Sequence, residues 1–198
     1  MAVQTREDLA GIAHLLRRAG FGATYDELEA YAARGYEATV EYLVNPEAQP
    51  PVEEDLMLRL IPGWTTRPGL FHQQTYWIYR MINTRRPLEE KIALFWHHIF
   101  AAGTNKSEHD QAHMDEIEMF RRIGLSDMRT ILIGLSKDPA MIYWLDNNEN
   151  HKDEPNENYG REILELFSMG VGNYSETDIK MAGRAFTGWT FTQCIPLY

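Results

Sequence analysis

A single cysteine, Cys194, stands among 198 residues. That excludes an internal disulfide framework and a cysteine-built zinc cluster within one chain. No apolar run approaches the roughly 20 residues that cross a bilayer. The start, Met1-Ala2-Val3-Gln4-Thr5-Arg6-Glu7-Asp8, lacks the basic-then-apolar pattern of a signal peptide, so the chain as given is expected in the cytoplasm, without a membrane span. Positive charge is also scarce. Against 29 Asp and Glu there are 19 Lys and Arg, a net charge of −10, which argues against a nucleic-acid partner. The pairs Arg17-Arg18, Arg85-Arg86 and Arg121-Arg122 read as solvated helix ends. Strand pairs, internal repeats and low-complexity tracts are missing. Gly20-Phe21-Gly22-Ala23-Thr24 has no phosphate-loop lysine and follows a helical pattern, and Gly-x-Ser-x-Gly is absent, which argues against a hydrolase nucleophile elbow.

What the sequence does have is helical periodicity. With 44% hydrophobic residues the length suits one globular domain. The expected fold is all-α, a multi-helix orthogonal bundle with a long Pro-containing loop. A small helical head should occupy 1–45, an extended crossing segment 46–69, the main bundle 70–189 and a tail 190–198. Leu9, Ile12, Ala13, Leu16 and Ala19 recur at helical spacing, and Thr24 with Glu27 forms a capping box for the next helix. Between Pro46 and Pro68 at most a short helix fits, near 53–60. Residues 70–84 read as a helix carrying Tyr76, Trp77, Arg80 and Met81. Pro87 then opens a helix whose stripe is Ile92, Phe95, Trp96, Ile99 and Phe100.

That helix is expected to run through the middle of the bundle, with His97 and His98 as its only polar sector. The two rings point about 100° apart, so each would face a different side of a cavity or would sit as a core-margin histidine bonded to backbone or carboxylate. On the helix expected over 107–124, with Ser107 as cap, His109, His113 and Glu116 fall at i, i+4 and i+7. Two imidazoles and a carboxylate on one inward face are a candidate set for zinc or a similar divalent ion, although the spacing is also common in helices without metal. Further on, 125–135 is amphipathic with Ser126 as cap, Asp138-Pro139 opens a short helix, and the polar run 146–154 reads as a loop at the rim of a pocket or as a solvated turn.

The stretch least like ordinary core packing is PNENYGREILELFSMGVGNYSETD at 155–178, followed by AGRAFTGW. It reads as a helix over 158–169 entered from Asn156 or Asn158 and stopped by Gly170. A second helix is capped by Ser175 and Asp178, with Ile179, Ala182, Gly183 and Phe186 at core spacing. This run resembles the signature region of the bacterial family catalogued as domain of unknown function 1800. HLLRRAGFGAT at 14–24, PLEEKIALFWHHIF at 87–100 and DPAMIYWLDN at 138–147 resemble it in the same order. The resemblance implies that this is an N-terminal portion of a longer helical fold, whose C-terminal half or a protein partner would cover apolar surface. It leaves export of full-length relatives open, and it supplies no established catalytic residue.

From the residues themselves, Glu157, Arg161, Glu162 and Glu165 form an acidic and basic margin along one helix. With His97 or His98 they are candidates for acid-base or metal-assisted hydrolysis, Arg161 holding a substrate carboxylate or phosphate. The same groups would equally serve as helix pairs that fix register in a binding or assembly component. The binding or assembly reading leads, and a divalent metal is the one cofactor the pattern allows.

Overall fold

The structure, a computed structural model, describes residues 6–60, 69–107 and 109–191. Twelve α-helices and no strand occur among them. The chain is all-α. It divides into two compact units, Met1–Phe95 and Trp96–Tyr198. Positions 61–68 of the expected crossing segment, and 192–198 of the tail, lie outside the described residues.

In the first unit, α1 (Arg6–Arg18), α2 (Tyr25–Arg34) and α3 (Tyr36–Val44) follow one another and pack together. Its core is Ile12, Leu16 and Leu43, with Leu28, Tyr31 and Leu88 packed on them. Thr24 accepts from the Glu27 backbone while Glu27 returns to the Thr24 N–H, the capping box that spacing predicted. Gly35 is at once the last cap of α2 and the first of α3, at φ +96°. A side chain there would be strained, which is why the joint can be one residue long. The short helix α4 (Asp55–Leu60) is followed by α5 (Leu70–Asn83) and α6 (Pro87–Ile99).

The inward face of α6 differs from expectation. Phe95 and Ile99 are 48% and 39% exposed, whereas Glu90 and Ala93 are buried. Glu90 is tolerated inside because both its oxygens are met: Arg80 Nε donates to Oε1 at 2.7 Å and Trp77 Nε1 to Oε2 at 3.1 Å. Arg80 also donates to the Tyr76 hydroxyl at 3.0 Å and to Glu54 at 3.2 Å, and Tyr76 donates to Glu54. Burial pushes the Tyr76 phenol up to about 12, so it stays a neutral donor at ordinary pH. The apolar stripe was displaced by a satisfied polar network, the condition under which a buried carboxylate is tolerated.

In the second unit, α7 (Thr104–Ser107), α8 (Asp110–Ile123), α9 (Met128–Ser136) and α10 (Pro139–Trp144) precede α11 (Asn158–Glu165) and α12 (Glu176–Ala185). Phe100, fully buried, stacks on Trp96 at 5.3 Å and meets Phe120 at 6.0 Å and Phe167 at 5.1 Å. Trp96 Nε1 donates to the Gly124 carbonyl at 2.7 Å and so satisfies an otherwise orphan acceptor at the end of α8. The caps of α8 and α9 are His109 and Asp127 instead of Ser107 and Ser126. Helix α11 stops at Glu165, four residues before its expected end. Gly170 still takes the left-handed conformation, at φ +80°.

The signature run owes its residue types to two devices. Asn150, 1% exposed, donates to the Gly183 carbonyl at 2.8 Å and to Asn147 Oδ1 at 3.1 Å, and its own Oδ1 accepts from Asn156 N at 2.9 Å. Asn156 Oδ1 accepts from Asn158 N, and Asn158 Nδ2 donates to the Leu145 carbonyl. The polar loop before α11 is thereby stitched to α12. The second device is close approach: a Cβ on Gly160 would lie 2.6 Å from Gly183 N, and one on Gly183 would lie 3.1 Å from the Asn156 carbonyl oxygen.

Two substitutions test this packing by urea unfolding. Gly160→Ala should gain about 1 kcal/mol of helix propensity but lose more to overpacking against backbone, for a net loss of about 1–3 kcal/mol. Gly11→Ala, in α1 with nothing within 4 Å of its added methyl, should instead gain about 0.5–1 kcal/mol. Equal effects at the two glycines would remove the close-approach argument.

Candidate functional site

Three helices and a loop of the second unit bring buried ionisable groups together. His97 comes from the last turn of α6, Ser107 ends α7, His113 and Glu116 lie on α8, and Asp138 caps α10. Glu116 has no exposed surface, and His97 Nδ1 stands 3.4 Å from its Oε2. That distance is an electrostatic contact, longer than a good hydrogen bond. Neither carboxylate oxygen receives a hydrogen bond within the described structure. Burial therefore pushes the Glu116 carboxyl up, opposed in part by His97.

His113, 4% exposed, has its Nε2 2.6 Å from Ser107 Oγ, while its Nδ1 is buried without a hydrogen-bond partner. Burial holds its pKa below the usual imidazole range, and the neighbouring His97 adds to that shift. Asp138, 5% exposed, accepts from Met141 N at 2.8 Å as the cap of α10. Burial, and then Glu116, push its carboxyl up to about 7, against the two α10 backbone N–H groups that favour the charged form. Chemically, a buried carboxylate beside a part-exposed imidazole fixes the orientation of the ring.

The remaining sequence candidates lie elsewhere. His98 is exposed. His109 is used locally, its Nδ1 accepting from Ala112 N at 3.2 Å as the cap of α8. His113 and Glu116 are both buried, but no group of three or more His, Cys, Asp or Glu among the described residues is disposed to hold a metal ion. On α11, Arg161 reaches across to Glu176 of α12 with contacts of 3.3 and 3.2 Å, and lies 3.7 Å from Glu157. Glu165 accepts from the Tyr174 hydroxyl at 2.9 Å, and Glu162 is half-buried. The α11 margin thus forms a surface ionic seam between two helices, apart from the His97 and Glu116 pair.

Beside that seam lies a cleft of about 570 Å³ walled by Leu132, Ile133, Ile163, Phe186 and Trp189. Arg129 and Lys137 line it too, with Ser136, and no carboxylate among the described residues does. Tyr159, 1% exposed, packs edge-on against Phe186 at 4.8 Å and donates to Ser136 Oγ at 2.8 Å, which fixes the floor.

Asp138 and Ser107 were invisible as site residues in the sequence, where each reads as a helix cap. No local spacing links them to Glu116 or His113.

The family described as Protein of unknown function (DUF1800) matches residues 14–195. No curated protein and no solved structure matches the chain. No helix among the described residues is long and apolar enough to cross a membrane.

The buried carboxyls set a pH signature. Between about pH 4 and pH 7 folded Asp138 holds a proton that the unfolded chain has released, so its contribution to stability falls as pH rises through that window. Asp138→Asn keeps a capping side chain and removes the titration. The wild-type minus variant difference in unfolding free energy should decline from pH 4 to 7 and be flat above. His113, with its lowered pKa, works in the opposite sense below its ordinary value of 6.5, so the difference curve is the diagnostic quantity. A flat difference throughout would mean that Asp138 is not held protonated.

Proposed function

The chain belongs to the DUF1800 family, and we propose that it acts as a binding or assembly component whose docking surface is the cleft beside α9. The observation that supports this reading is the cleft itself. Its volume, about 570 Å³, falls within the roughly 300–1,000 Å³ typical of ligand sites, and its apolar wall with few polar groups has their usual composition. Ile133 and Trp189 remain 45% and 41% exposed there, an arrangement that favours burial against a partner. The ionic seam of α11 and α12 then has a structural task, holding Ile163 in the wall while Arg161 is occupied by glutamates.

A second reading, acid-base hydrolysis, is favoured by one observation: fully buried Glu116 with His97 Nδ1 at 3.4 Å. His97 would transfer the proton and Glu116 would orient it. Turnover of p-nitrophenyl acetate above the buffer rate, reduced about tenfold or more in both His97→Gln and Glu116→Gln, would support it. Equal rates in all three proteins would remove it.

For the docking reading, the test is a titration of the protein with a neutral Leu-rich helical peptide followed by isoleucine methyl NMR. Shifts should concentrate at Ile133 and Ile163. Ile78 and Ile82 of α5, 56% and 75% exposed, serve as exposed controls outside the cleft. Shifts of equal size at all four would discard the cleft as a docking surface.

A further inference from the structure

We infer that the segment this cleft receives is an amphipathic helix from a partner protein, bearing two carboxylates about two turns apart on either side of a large apolar residue. The inference rests on the docking reading above and adds the chemistry of the occupant. Arg129 and Ile133 of α9 and Lys137, its αR C-cap, follow one another at i, i+4 and i+8, and all three line the cleft. Residues four apart on a helix form one slanted ridge, so these three make a row that reads cation, apolar, cation. At 1.5 Å of rise per residue the two cations are about 12 Å apart along the axis.

Among the described residues, nothing answers those charges. Arg129 and Lys137 are exposed, and neither forms an ion pair with another described residue. The nearest carboxylates in sequence are already committed. Asp127 accepts from Thr130 N at 3.0 Å and from the Thr130 hydroxyl at 2.7 Å, and Asp138 is buried as the cap of α10. Elsewhere in the protein Arg59, Arg80, Arg86 and Arg161 each pair with a carboxylate. A pair of unanswered cations flanking an apolar wall is complementary to the converse pattern, acid, apolar, acid, at the same spacing. A second copy of this chain is disfavoured as the occupant by its own net charge of −10 and the general repulsion between two acidic bodies. The apolar residue would supply contact area in the cleft, and the two carboxylates would set orientation and reject basic partners.

The experiment uses the full chain and three fluorescein-labelled synthetic helical peptides that differ only at two positions, placed four residues before and four after a central Leu: both Glu, both Gln, or both Lys. Anisotropy titrations at moderate salt should show the Glu peptide binding about tenfold or more tighter than the Lys peptide, with Gln between them and the gap shrinking as salt rises. In the double variant Arg129→Glu, Lys137→Glu, both positions being exposed, the preference should reverse. Ile133→Asp should weaken all three peptides. If the three peptides bind alike and Ile133→Asp still abolishes binding, the cleft is a docking surface and the acidic partner is wrong. If the Glu peptide does not bind at all, the inference falls, and the methyl titration with the neutral peptide decides the docking reading separately.

Discussion

The backbone contact between Gly160 and Gly183 is the constraint on which the second unit depends. With a Cβ on Gly160 only 2.6 Å from Gly183 N, the two helices can cross at this distance only while position 160 is glycine. Everything around the crossing follows from it. Asn150 reaches the Gly183 carbonyl because α12 is that close, and the loop before α11 is fixed because Asn150 and Asn156 are then paired. The ionic seam of Arg161 and Glu176, and the placement of Ile163 and Phe186 in one apolar wall, use the same geometry. The signature run is thus rich in Asn and Gly for a packing reason, which is enough to account for those residue types without invoking catalysis.

The buried cluster is a different kind of feature. A carboxylate wholly removed from water, with no hydrogen bond to either oxygen, costs free energy that no packing argument returns. In the first unit the comparable residue, Glu90, is fully answered by Arg80 and Trp77. Among the described residues, Glu116 is answered only by the imidazole of His97 at 3.4 Å. The contrast is between a buried carboxylate whose oxygens are both met and one whose oxygens, among the described residues, accept no hydrogen bond. The cleft and the cluster use different side chains.

Much of the secondary structure was legible. Capping boxes at Thr24 and Ser175 and the cap at Asp138 before Pro139 are local devices, and each stands where its residue types placed it, whereas Gly170 is left-handed but lies beyond the end of α11 at Glu165. Errors came where a local device was outcompeted. His109 and Asp127 took the caps expected of Ser107 and Ser126. Glu90 and Ala93 turned inward where Phe95 and Ile99 were expected, because α6 is apolar around most of its circumference and its pattern does not select a face. Among the site residues, His97, His113 and Glu116 stood out in the sequence as polar groups on apolar helices. Their association was not legible, since it joins residues from separate helices.

By itself the sequence determined the helical class, the helix positions to within a few residues, the capping devices and the membership of a family, because each depends on interactions between residues close in the chain or on a long run of specific types. Which face of each helix is buried, which carboxylates meet a partner, and that Arg129, Ile133, Ile163 and Trp189 share one wall were decided only by tertiary structure. Those outcomes depend on which helices approach one another and how closely, and the approach is set by contacts such as Gly160 on Gly183, between residues 23 positions apart, that no local pattern encodes.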